Sequence, residues 1–237
     1  MYCPLHAVQQ AVFVFSILEF LLRKEKTMTS KTLARTSGVA LLLAGALIAV
    51  PIVFHPSYAD PQALIRPAWL PVHTALTIAA ILGLFGLIGL YNQLRERSGW
   101  LELIGFVLLF IGTALFVAVL SIEAFVLPAL ASSASGQALL DPAGPLFGGP
   151  LNVFLLLTGS IFSLGCLLFC IAILRSGISG RWVGLLLLGG ILLAFWPPLP
   201  DLVGIIGGVL LGLGFIWFGY ILLARSGERV VQAQTAA

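Results

Sequence analysis

Apolar runs separated by short polar breaks set the plan of this chain. Uninterrupted apolar stretches fall at 38–54, 72–91, 102–127, 151–174, 182–199 and 202–224. Each approaches the ~17–25 residues that a helix needs to cross a bilayer. The runs are continuous and do not alternate with polar residues, so they predict helices and not strands. In lipid every backbone N–H and C=O needs an internal partner, and a helix supplies one within its own segment. The pattern therefore predicts an all-α polytopic membrane protein, a bundle of six transmembrane helices over residues 31–225, followed by a cytoplasmic tail at 226–237.

The first 30 residues do not fit that plan. Their apolar stretch AVFVFSILEFLL (11–22) is short, is broken by Glu19, and is followed by RKEK. A secretory signal carries its positive charge in front of the apolar segment. Residues 1–30 read as a poorly ordered or interfacial extension, and MTSKTLARTSG, from Met28, reads as the basic flank of the first span. Ser57-Tyr58-Ala59 imitates a cleavage site. The 17-residue run before it exceeds the ~7–15 residues of a signal core, so the span is expected to be retained.

The polar breaks are asymmetric. With the N-terminus inside, one side of the membrane carries Arg23, Lys24, Lys26, Lys31, Arg35, Arg95, Arg97, Arg175, Arg181, Arg225 and Arg229, and the other only Arg66. Positive charge collects on the cytoplasmic side, which predicts an N-in, C-in topology in a bacterial cytoplasmic (inner) membrane. Three predicted spans end alike, in Arg97-Ser98-Gly99, Arg175-Ser176-Gly177 and Arg225-Ser226-Gly227. Each places a cation at a helix C-terminus and a glycine just beyond to stop the helix.

Composition strengthens the membrane reading. Only 9% of the 237 residues are charged, against roughly 25% in soluble domains. The pI near 9.0 does not point to nucleic acid, because the basic residues form no patch with interleaved aromatics. The expected partner is the lipid bilayer. Gly204, Gly208 and Gly212 form a GxxxGxxxG face on the last span, where small residues let helices approach closely. That face serves either packing within the bundle or contact with a second copy. Gly83, Gly86 and Gly89, and Gly159 with Ser163, mark similar strips. Cys166 and Cys170 share a helix face, Cys3 stands apart, and no zinc-type spacing links them.

No ionisable residue falls at the middle of any predicted span, which argues against a proton-driven carrier with a midplane site. Glu102 and Glu123 lie 21 residues apart on one span, about 32 Å at the helical rise, and so near opposite membrane edges. Midspan polarity is confined to hydroxyls and thiols such as Thr158, Ser160 and Ser163, which can satisfy themselves on carbonyls one turn back. The outer edge is richer. His55 follows the first span, His73 opens the second, and Glu123 nears the outer end of the third, with Asp60, Arg66 and Trp69 nearby. Two imidazoles and a carboxylate are a ligand set for zinc or non-haem iron. The same three form equally well a hydrogen-bonded clamp on the first loop, or a proton relay. Arg66 competes as a partner for Glu123. No hydrolase, metalloprotease or nucleotide-binding motif accompanies them.

The segments FHPSYADPQALIRPAWLPVH (54–73), SIEAFVLPALA (121–131) and DPAGPLFGGPL (141–151) resemble a group of uncharacterised small multi-pass membrane proteins of bacteria. The resemblance covers residues 31–225 and implies six spans and no particular activity or cofactor. Three functions are open on the residues alone: a non-enzymatic membrane protein with its specific groups on the outer face, a small-molecule permease or export component, and a metal or haem protein of membrane redox chemistry.

Overall fold

A computed structural model describes residues 30–57, 60, 62–94, 99–141, 144, 146–147, 149–177, 181–195 and 200–235, and among these all regular structure is helical. The predicted extension, apart from its last residue, and the basic turn residues Arg95 and Arg97 lie outside the described residues. The elements are α1 (Ser30–Ala49), 3-10 turns at Pro51–Phe54 and Ala63–Ile65, α2 (Trp69–Leu94), α3 (Trp100–Ser121), a π-helical turn (Ile122–Val126), α4 (Leu127–Ala131), α5 (Ala134–Leu139), α6 (Pro150–Ser176), α7 (Arg181–Phe195) and α8 (Asp201–Thr235).

Five helical stretches are long and apolar enough to cross a membrane: Thr32–Phe54, Trp69–Leu94, Trp100–Ala131, Pro150–Ser176 and Asp201–Arg225. The sixth apolar helix is shorter. Its 15 described residues cover about 22 Å of a hydrocarbon layer about 30 Å thick, and 196–199, which the apolar run included, lie outside the described residues. Phe85, Leu156, Leu157 and Trp217 are all more than half exposed on helix flanks. In water such a surface drives aggregation; in a bilayer it is the lipid face. The fold is that of a multi-pass helical membrane protein.

Lipid tails are as apolar as leucine, so the helices gain contact chiefly by close approach. On α3 and α6, a Cβ added at Gly165 would lie 2.3 Å from the backbone nitrogen of Leu109, and one at Gly112 would lie 2.6 Å from the Cα of Phe162. On α7 and α8 the same closeness is set by Gly190 and Gly207. The helix α1 lies on α8 through Gly45 and Gly212, whose added Cβ atoms would fall 2.4 and 2.6 Å from the opposite glycine's carbonyl oxygen. Gly86 and Gly89 of α2 receive Leu41 and Ser37 of α1, and the Ser37 hydroxyl donates to the Phe85 carbonyl at 2.8 Å. Gly212, and Gly208 against Ile52, are thus taken up within the chain. A Cβ added at Gly159 or Gly204 would meet no other element within 4 Å, so the strip expected at Gly159 is not a close helix contact.

Two local expectations are corrected. Of the three Arg-Ser-Gly endings, Gly177 does stop α6, in the left-handed conformation at φ 65°. Gly227 stops nothing, because α8 continues to Thr235; a glycine within a helix costs only about 1 kcal/mol. The helical stretch expected to end at residue 127 runs on to Ala131 as α4, and a second short helix, α5, follows. The second is capped by the Ser133 side chain, which accepts from the Gly136 N–H at 3.1 Å.

Candidate functional site at the 50–73 end of the bundle

The site begins with a proline. Pro128 has no N–H and its ring crowds the preceding turn, so the ladder of α3 cannot pass it unchanged. The chain widens into the π-helical turn Ile122–Val126, in which the Leu127 N–H reaches back to the Ile122 carbonyl. The next acceptor in that pattern is the carbonyl of Glu123, and the residue that should supply its donor is Pro128. The Trp69 indole takes the place, donating Nε1–H to the Glu123 oxygen at 2.7 Å. Trp69 is 1% exposed. One proline thus creates the acceptor that anchors the first turn of α2 against α3.

That anchor positions His73, one turn along α2. The two rings stack with centroids 4.1 Å apart. His73 Nδ1 donates to the Trp69 carbonyl at 2.9 Å, and the Thr77 hydroxyl donates to the His73 carbonyl at 2.7 Å. His55 arrives from the 3-10 turn after α1, and its Nδ1 donates to the Pro56 carbonyl at 2.7 Å. A carbonyl only accepts, so both Nδ1 atoms carry a proton. The two Nε2 atoms face each other at 3.4 Å. His73 Nε2 stands 3.6 Å from Glu123 Oε2, an ion-pair spacing too long for a direct hydrogen bond. The structure therefore brings His55, His73 and Glu123 together, as their shared depth predicts.

The surrounding loop is tied at two places. The Ser57 hydroxyl donates to the Asp201 carboxylate at the start of α8. Asp201 immediately precedes the last apolar run, at the same end of the spans as the histidines, and that position was the available signal for this link. Asp60 accepts from the Gln62 N–H and from Arg66 Nε, both at 2.9 Å. The Gln62 amide first, and then Arg66, hold the Asp60 carboxyl below its ordinary range. Arg66, weighed as a partner for Glu123, is paired with Asp60. Burial pushes His55 below its ordinary value, while the Pro56 carbonyl and Asp201 oppose that shift.

Behind the cluster lies a chamber of about 650 Å³, headed by His55, His73, Glu123 and Asp201. From His73 its wall follows α2 to Leu90, about 25 Å along the helix. Leu109 and Phe116 of α3, Phe162 and Phe169 of α6, and Phe215 of α8 also line it. Cys166 and Cys170 are free thiols in the same wall. Among the described residues no three His, Cys, Asp or Glu side chains form a group that could hold a metal ion as they stand.

The other polar residues take no part in this cluster. Ser160 and Ser163 are exposed on the flank of α6. Thr113 and Thr77 bond carbonyls one turn back, but the buried hydroxyl of Thr158 has no hydrogen-bond partner among the described residues. Glu102, at the far end of α3, is fully buried, and among the described residues neither carboxyl oxygen has a partner. In comparisons with known proteins the chain matches no family model, no curated protein and no solved structure.

Proposed function

We propose that this is a six-span protein of a bacterial cytoplasmic membrane, with both termini inside, that holds a small apolar molecule in its bundle and does not transform it. The carrying observation is the chamber: about 650 Å³, walled mostly by apolar side chains, with its histidines and carboxylates gathered at one end. The volume falls within the ~300–1,000 Å³ of small-molecule sites, which are likewise mostly apolar with a few placed polar groups. In the proposed topology the histidine end faces outward, because Arg66 is the one Lys or Arg assigned to that side. A permease would share this chamber and differ in releasing its cargo on both sides.

The test is photolabelling in lipid nanodiscs with an alkyl diazirine. Label is expected on chamber residues Phe116 and Phe162 as well as on the lipid-facing Leu156 and Leu157. Gly83→Leu should suppress the chamber label alone, because Gly83 lines the chamber and an added Cβ there meets only Phe215, at 3.7 Å. Label confined to lipid-facing residues would overturn the reading.

One observation favours a second reading, a metal held by His55 and His73 with Glu123 drawn in. Two nitrogens bound to tetrahedral zinc at about 2.0–2.1 Å stand roughly 3.3–3.4 Å apart, close to the 3.4 Å found. Metal-binding imidazoles also commonly donate their other N–H to a carbonyl, as both do in this structure. Metal analysis of the purified protein before and after chelation decides it: a stoichiometric ion lost from His73→Gln supports this reading, and no ion removes it.

A further inference from the structure

We infer that the chamber takes a single-chain amphiphile, seated with its polar head beside His55, His73, Glu123 and Asp201 and its one hydrocarbon chain running inward to Leu90. The inference rests on the chamber reading and names the class of molecule the chamber takes.

The chamber is long for its volume. Its roughly 650 Å³ follow α2 for about 25 Å. The mean cross-section is therefore about 26 Å², the width of one extended hydrocarbon chain and too little for two abreast. The wall has small freedom to widen. Gly112 and Gly165 set α3 against α6, Gly190 and Gly207 set α7 against α8, and Gly45 and Gly212 set α1 against α8, backbone on backbone. Parting these pairs forfeits the close packing that holds helices together in lipid. A compact molecule would fill a short part of the length and leave the remaining wall without contacts. The two ends also differ in kind. His55, His73, Glu123 and Asp201 stand at one end, and Leu87, Leu90, Phe169 and Leu187 line the other. A polar head drawn to the leucine end would exchange its hydration for hydrocarbon. The depth is limited as well. Past Leu90, the side chains of Leu94, Ile173, Phe218 and Leu222 are each no more than 2% exposed and belong to one packed cluster. That cluster is the floor on which the chain end rests.

The experiment uses the full chain in phospholipid nanodiscs and two photoactive monopalmitoylglycerols, one with its diazirine beside the ester and one with it at the chain end. The ester-side probe is expected to label Leu76 and Leu120, and the chain-end probe Leu90 and Phe169, all of them chamber residues. From Leu76 to Leu90 the label moves about 21 Å along α2. Lipid-facing Tyr220 is the control. It is 61% exposed and lies near Leu90 in depth, since a Cβ added at the neighbouring Gly89 would meet Leu222 at 3.7 Å. Lipids of the adjoining leaflet set their heads near that depth, so at Tyr220 the ester-side probe should label better than the chain-end probe. A roughly tenfold excess of unlabelled monopalmitoylglycerol should cut the Leu90 label to about a tenth, and the same excess of dipalmitoylglycerol should leave it unchanged. Probes that label Leu90 and Leu120 alike overturn the head-outward seating, and equal competition by dipalmitoylglycerol overturns the single chain. Either result sinks the inference and leaves the chamber reading intact, as does failure of both probes while the alkyl diazirine still labels Phe116 and Phe162. Absence of chamber labelling by the alkyl diazirine overturns both.

Discussion

Trp69 ties the π-helical turn to the histidines, and its indole N–H is the part that does so. Trp69→Phe keeps the ring and removes the donor, leaving the Glu123 carbonyl buried without a partner. The expected cost is about 1–3 kcal/mol, read as a lowered thermal midpoint in detergent. Glu102 is the opposite case. It is fully buried with no partner for either oxygen among the described residues, so Glu102→Met, which fills similar space without polar atoms, should raise the midpoint. A fall would reveal a role that its surroundings do not show. His55 makes the site sensitive to acid. Burial holds it below its ordinary value of 6.5, so the folded chain binds fewer protons than the unfolded one as pH falls through that value. Stability is fully present above 6.5 and is lost on acidification. Melting at about pH 8 and about pH 5 should therefore differ more in wild type than in His55→Gln.

Among the elements, the decisive contacts are glycines that let backbones touch. Gly45 and Gly212 each lie against the other's carbonyl, and a methyl group at either would fall within 2.6 Å of it. Gly45→Ala should push α1 from α8 and lower the thermal midpoint, by the roughly 1–3 kcal/mol typical of overpacking. Gly159→Ala, where nothing lies within 4 Å, should be neutral or stabilising by up to about 1 kcal/mol from helix propensity. If both variants behave alike, close approach is not what holds these helices. The GxxxGxxxG face illustrates how far a motif can be read. Its spacing marked a contact surface, but the partner lies in the same chain: α1 at Gly212 and the 3-10 turn after it, through Ile52, at Gly208. Two copies meeting through those glycines would have to displace it.

At the scale of the whole molecule the open quantity is topology. Single cysteines at Ser133 and Ser179, in a background where Cys3, Cys166 and Cys170 are alanine, should label from opposite sides. Ser133→Cys is expected to react with an impermeant maleimide outside intact cells, and Ser179→Cys only after permeabilisation. Labelling of both from one side would rule out the six-span arrangement.

Class, helix order and the depth of His55, His73 and Glu123 were legible in the linear chain, because lipid leaves the backbone few ways to satisfy its hydrogen bonds and helical rise converts residue number into depth. Depth is one coordinate of three, and the others required the fold. Which glycines are contacts depends on the angle at which α1 crosses α8, and nothing in Gly159 or Gly212 as residues distinguishes them. That Arg66 turns to Asp60 and Ser57 to Asp201 depends on the path of an irregular loop. The proton placement in the cluster is likewise tertiary: Pro56 and Trp69 set a carbonyl against the Nδ1 of His55 and of His73, and an isolated imidazole has no fixed tautomer.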